Sequence, residues 1–168
     1  NGDNIRATVA SLNFPSSVAF DSAGNLFIAD QSNRRVRRVV PGADGVINGA
    51  VDAIITTVAG NSTACSGTNL CGDGGAATSG NLGSSAAIAF DSLGTLFIAD
   101  AGANRIRRVD AGPDGLVTGA SDPNELITTV AGTGNDCSSS PPTCGDGGPA
   151  TSASIRQPRG LAVDSSGN

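Results

Sequence analysis

The chain has 168 residues and a net charge of −5; it contains no His, Met, Trp or Tyr, and its ten basic residues are all Arg, so Lys is absent too. These absences rule out an imidazole metal site, a His general base, a Schiff-base Lys and a catalytic Tyr within this chain. An acidic balance without Lys argues against phosphate-backbone binding as its main function.

The length suits one ordinary domain, and 24 Gly with 8 Pro stay below the level expected of a disordered chain. No apolar run approaches the ~20 residues of a membrane span. The opening residues do not read as a signal peptide, and a start at Asn1 is the expectation for a processed product or a fragment.

In chain order, four short segments rich in Val, Ile, Phe and Thr read as strands at 17–20, 26–29, 35–39 and 54–59. Residues 21–25 (Asp-Ser-Ala-Gly-Asn) make a tight hairpin turn, because Gly24 accepts positive φ and the Asp21 carboxylate can cap the turn. Asp44-Gly45 reads as a loop tip between the third and fourth strands. Nothing has the apolar spacing of a helix.

The pattern then starts again. DSAGNLFIAD (21–30) is matched by DSLGTLFIAD (91–100), RRVRRV (34–39) by NRIRRV (104–109), and ITTVAG at 55–60 by the same letters at 127–132. CGDGGAATS (71–79) is matched by CGDGGPATS (144–152), and NGDNIRATVAS (1–11) fits the same frame with Asn1 in the Cys place. Asp21, Asp91 and Asp164 stand 70 and 73 residues apart. The chain therefore divides into units at 1–70 and 71–143 and the opening of a third at 144–168, which carries a first strand at 160–164. Four antiparallel strands per repeated unit is the pattern of a β-propeller blade.

Four Cys fall in two close pairs, Cys65 with Cys71 and Cys137 with Cys144. Three connectivities are open to four thiols. The local one closes each short loop on itself and implies an oxidising, extracellular or cell-surface location. Free thiols are the alternative. A four-thiolate zinc site is poorly served, since the gaps within each pair are wider than zinc knuckles use.

DSAGNLFIADQSNRRVRRV and DSLGTLFIADAGANRIRRV resemble the NHL repeat, whose signature runs roughly D-x-x-G-N-L-Y-V-A-D-x-x-N-x-R-I. GDGGPATSA and QPRGLAVDSSGN are similar to its long-repeat bacterial type. The resemblance covers essentially the whole chain. It implies an all-β fold of NHL-type β-propeller blades, each of four antiparallel strands. With about two and a third repeats, a chain of this length does not close a ring. Ala103 stands where Asn33 does, Thr95 where Asn25 does, and Ser85 where Pro15 does; a looser turn and a shifted blade start are expected in the second unit.

Among candidate sites, Asp30 with Arg35 and Asp100 with Arg105 are expected to form bidentate pairs that fix strand geometry. Asn33 and Asn104 are expected to cap the same turns. The Arg stripe (Arg34, Arg35, Arg37, Arg38; Arg105, Arg107, Arg108) invites an RNA reading, since some NHL propellers bind RNA. Without nearby stacking aromatics the expectation is instead solvated strand residues, and no nucleic-acid partner. Asp44, Asn48 and Asp52, with Asp114, Thr118 and Asp122, are weak calcium candidates, because a calcium loop has denser acids. GDGG at 72–75 and 145–148 lacks the Lys and helix of a phosphate cradle and reads as a turn.

Remaining nucleophiles have only Asp or Glu125 as base, and NHL-like lyases use His-bound metal and Tyr, so no enzyme and no cofactor are expected. Asn61-Ser62-Thr63 is an N-glycosylation sequon, and the Ser/Thr loops at 61–84 and 133–157 offer O-linked positions. The expectation is a secreted scaffold of NHL-like repeats that assembles end to end with identical subunits, as in a fibre, through open blade edges or strand exchange. The alternative is part of a larger closed propeller that binds a protein or glycan partner.

Overall fold

The computed structural model describes residues 2–48, 52–67, 69–119, 122–138, 144–164 and 166–167. The O-linked positions at 139–143 lie outside them. Among the described residues the structure is all-β apart from five three-residue 3-10 turns.

Two sheets form, one from each complete repeat. The first contains β1 (Ile5–Arg6), β2 (Pro15–Phe20), β3 (Leu26–Asp30), β4 (Arg35–Val40) and β5 (Ile54–Ala59), in the order β1-β5-β4-β3-β2. The second contains β6 (Ser85–Phe90), β7 (Leu96–Asp100), β8 (Arg105–Val109) and β9 (Ile127–Ala131), in that order. Every pairing between these strands is antiparallel. These are NHL-type blades, and two of them do not close a ring.

The expected strands reappear with small extensions. β2 begins at Pro15 rather than 17, with a bulge between Pro15 and Ser17; an edge strand tolerates Pro there because no ladder N–H is lost. The same bulge falls between Ser85 and Ala87, so Ser85 does not shift the start of the second blade.

The hairpin turn is built as its letters require. Gly24 and Gly94 have φ of 81° and 83°, a region costly for residues with a Cβ. Asp21 Oδ1 accepts the N–H groups of Ala23 and Asn25, at 3.0 and 2.8 Å. Asp91 Oδ1 does the same for Leu93 and Thr95, at 2.9 and 2.8 Å. Thr95 thus keeps the backbone turn; what it lacks is the 2.7 Å bond that Asn25 Nδ2 donates to Asp21 Oδ2.

Two corrections concern the ends. Ile5–Arg6 forms a fifth strand on the outer edge of the first sheet, unforeseen because two residues carry no periodicity. The first strand expected at 160–164 does not form. An inner strand takes its ladder from the second strand of its own blade, and among the described residues no such strand follows. The turn that follows is nevertheless present, with Asp164 Oδ1 accepting Ser166 N at 2.9 Å.

Strand alternation gives each sheet two apolar faces. Phe27, Ala29 and Val36 of the first sheet pack on Leu96, Ile98, Val109 and Ile127 of the second in one buried cluster. Within it Phe27 meets Phe90, and Leu82 is fully buried. The inner strands also touch, as Ser16 Oγ donates to Ser85 O at 2.7 Å.

Candidate functional site

The groups that could act on a partner are the two remaining sheet faces and the polar locks beside them. On the first sheet, the face away from the second carries Leu26, Ile28, Val39 and Ile55, which match Leu96, Ile98, Val109 and Ile127 place for place. Val18 and Phe20 of β2 lie on that face, 62% and 61% exposed. Beside them is an apolar hollow of about 200 Å³ lined by Leu12, Leu26, Ile28, Val39 and Ile55. On the second sheet, the outward face carries half-buried Phe97 and Ile106, which match Phe27 and Val36.

The connectors at 2–14 and 71–84 each carry an Asp that locks a buried Arg. Arg37 donates from Nη2 to Gly2 O at 2.6 Å and to Asp3 Oδ1 at 2.8 Å. Arg107 makes the equivalent short contact from Nη2 to Asp73 Oδ1 and donates from Nη1 to Asn81 O at 3.3 Å. Both guanidinium groups are fully buried. For Arg37 and Arg107 this corrects the expectation of solvated strand arginines, because the connector lies over them and brings the counter-charge that burial requires. Arg108, 40% exposed and paired with Asp110 at 2.8 Å, fits it.

The ion pairs expected of Asp30 with Arg35 and of Asp100 with Arg105 also need correction. These residues do face each other in register. However, Asp30 Oδ2 lies 3.7 Å from Arg37 Nη1, and Asp100 Oδ2 lies 3.8 Å from Arg107 Nη1. The diagonal neighbour on the same face reaches the carboxylate. Arg105 instead donates from Nη1 to Cys65 Sγ at 3.3 Å and Cys71 Sγ at 3.1 Å, and from Nη2 to Thr133 O at 3.1 Å. Arg35 makes no side-chain hydrogen bond or ion pair with the described residues.

The buried Asp residues also anchor the connectors. Asp30 accepts Asn13 N at 2.7 Å and Asn33 Nδ2 at 2.8 Å. Asp100 accepts Gly83 N at 2.8 Å, but with Ala103 in the Asn33 place its Oδ2 has no hydrogen bond. Burial pushes the Asp100 carboxyl up to about 6, with Arg107 pulling the other way. Ala103 packs against Cys65 and Cys71, so the small side chain makes room for the disulfide. Asn104 Oδ1 accepts Gln157 N at 2.9 Å.

Both local disulfides are present, Cys65–Cys71 and Cys137–Cys144. The four Asp proposed for calcium instead cap their own loops. Asp44 accepts Val46 N and Asn48 Nδ2, and Asp52 accepts Ala43 N. Asp114 accepts Leu116 N, and Asp122 accepts Asn124 N. Among the described residues no group of three or more His, Cys, Asp or Glu is placed to hold a metal. Thr118 belongs to a different anchor: its N–H and Oγ1 donate to Glu125 Oε1 at 2.5 and 2.6 Å, and Gly119 N donates to Oε2 at 2.6 Å. Asn61 is exposed, its Nδ2 donating to Ser79 O and Asn81 Oδ1 and its Oδ1 accepting Thr63 N.

Sequence reasoning missed Asp3, Asp73 and Glu125. The first two had a readable signal, because each repeated G-D opening supplies one Asp for each Arg that alternation turns inward. Glu125 sits where the second repeat is longer between Asp122 and Ile127 than the first is between Asp52 and Ile55; it is the one Glu of the chain and has no counterpart to compare.

Repeated four-stranded antiparallel blades carrying the NHL letters define the class of protein. Residues 114–168 match the family of the Teneurin NHL domain. Mouse Teneurin-3 is 40% identical over 75 residues, which is 44% of this chain but 3% of that protein's length. The chain is built of NHL repeats. Among solved structures, the PQQ-bound aldose sugar dehydrogenase of Streptomyces coelicolor covers 77% of this chain and 35% of its own, at 16% identity and a TM-score of 0.43. That overlap is too loose to bear on function. No helix among the described residues is long and apolar enough to cross a membrane.

Proposed function

We propose that this chain is a non-enzymatic extracellular scaffold, with repeat units at 1–70, 71–143 and 144–168, that assembles end to end with identical subunits. One observation carries this reading: the two outer faces repeat, residue for residue, the two halves of the buried joint between the sheets. Leu26, Ile28, Val39 and Ile55 stand in the places of Leu96, Ile98, Val109 and Ile127, while Phe97 and Ile106 repeat Phe27 and Val36. Ile28, Val39 and Ile55 are already covered by residues such as Ile5, Ala7 and Ile47, so Val18 and Phe20 are what this face leaves exposed. A contact between unlike faces is heterologous; it closes a ring or grows a fibre according to its rotation. The disulfides support an oxidising compartment. The same reading places an N-linked glycan on Asn61, added before the turn closes, since the folded amide is held by its neighbours.

The test is the mass of the 168-residue polypeptide by light scattering over a range of concentrations. Oligomers that grow with concentration are expected, and Phe97→Asp should dissociate them while Val46→Asp, in an exposed loop, does not. A monomer at every concentration rejects end-to-end assembly.

A second reading has further repeats of a longer polypeptide covering both faces, giving a closed propeller that captures a protein or glycan partner. The 75-residue match inside a far longer relative favours it. The intact mass of the native polypeptide separates the two.

A further inference from the structure

The connector at 71–84 is hydrogen-bonded to both sheets. Gly60 N donates to Ala77 O at 2.9 Å on the side of the first sheet. On the side of the second, Gly74 N donates to Ile127 O at 2.8 Å and Ala77 N to Glu125 O at 2.9 Å. The other two connectors are complementary halves of this arrangement. Residues 2–14 bond to the first sheet only, through Asn4 N to Ile55 O at 2.9 Å, Ala7 N to Ala53 O at 2.8 Å and the Asp3–Arg37 lock. Residues 144–157 bond to the second sheet only, through Gly132 N to Ala150 O at 3.0 Å, Thr133 N to Ala153 O at 2.9 Å and Gln157 N to Asn104 Oδ1.

Each half leaves groups without mates. Arg35 stands where Arg105 meets the Cys65–Cys71 sulfurs, but no disulfide lies over it. Cys137–Cys144 is the disulfide in the matching frame, and exposed Asp146 stands in the frame of Asp3 and Asp73. Past them, 160–164 (GLAVD) fits 17–21 (SVAFD), with Leu161 in the Val18 place and Val163 in the Phe20 place. β2 is an edge strand, laddered to β3 alone.

If another copy's first sheet stacks on the second sheet as the second stacks on the first, residues 160–164 and that copy's β2 claim one place beside β3. We infer that residues 145–164 of one copy replace residues 2–21 of the next, so that Leu161 and Val163 lie opposite its Ile28 and Leu26, Asp146 locks its Arg37, and Cys137–Cys144 covers its Arg35. The inference rests on the end-to-end reading above. Ladder hydrogen bonds are exchanged one for one and cancel. The difference is that 144–164 is already fastened to its own second sheet, so after exchange it spans both sheets as 71–84 does, whereas 2–14 can reach only one.

Two substitutions and one exchange measurement decide it. With exchange, Val163→Asp should weaken assembly at least about tenfold and Phe20→Asp, on the displaced strand, should leave it unchanged. Amide hydrogen exchange should show 161–164 gaining protection on assembly while 16–20 loses it. Oligomers that dissociate with Phe20→Asp, tolerate Val163→Asp and leave 161–164 unprotected overturn the exchange but keep the stacking. A wild-type chain that stays monomeric overturns both.

Discussion

Phe27 of the first sheet and Phe90 of the second meet edge to face, with ring centroids 4.7 Å apart and planes inclined by 71°. The positive edge of one ring lies against the negative face of the other, the arrangement aromatic pairs prefer. The contact ties the second strand of one blade to the first strand of the next, so it belongs to the joint and not to either sheet.

Truncating Phe27, which is fully buried, should therefore loosen both blades together. Phe27→Ala is expected to cost about 3–5 kcal/mol through lost burial and the cavity left behind. Urea unfolding followed by circular dichroism checks this. A loss below 1 kcal/mol would show that the blades are stable apart.

The Asp73–Arg107 lock should be asymmetric. Asp73→Ala leaves a buried guanidinium whose nearest carboxylate is Asp100 at 3.8 Å, and about 3 kcal/mol of stability should be lost. Asp146→Ala, in the same frame but exposed, should be silent in the monomer. Replacing Asp73 and Arg107 together by apolar residues should cost less than Asp73→Ala alone, because no charge is then stranded.

Asp100 gives the protein a specific pH dependence. Its folded carboxyl titrates at about 6, above the ordinary 3.8, so between those values the folded state holds the proton more tightly than the unfolded state. This contribution favours the fold at low pH and is lost as pH rises from about 4 through 6. Asp100→Asn should flatten the profile in that window, read by thermal unfolding at fixed ionic strength. An unchanged slope would rule out Asp100 as its source.

Removing the Cys65–Cys71 bond as the double Ser variant should cost about 2 kcal/mol from loop entropy, with a further loss because Arg105 surrenders two sulfur acceptors. The Cys137–Cys144 double Ser variant should cost the monomer less, as no Arg of the same chain lies against those sulfurs. Guanidinium unfolding of both variants beside the parent measures the difference.

Much of the fold was legible because each strand is a short apolar run bounded by Gly, Asn or Asp, and because the repeat presents most of them twice. β3 ends at Asp30 and β7 at Asp100 since the same letters build the same ladder. The polar joint was less legible. Arg35 and Arg37 look alike in RRVRRV, and so do Arg105 and Arg107 in NRIRRV. Which Arg reaches Asp30 or Asp100 depends on diagonal neighbours across a ladder, and which is covered depends on a connector about 35 residues away in the chain.

The NHL repeat, its frame, the hairpin turns at Asp21 and Asp91, and the spacing of the cysteines in two close pairs are legible in the letters alone. All of these rest on interactions within a few residues, which local letters specify. That Asp3 and Asp73 lock buried arginines, and that Arg105 serves a disulfide, emerges only when distant segments are brought together. Those outcomes come from segments meeting across the fold, where burial makes an unpaired charge costly.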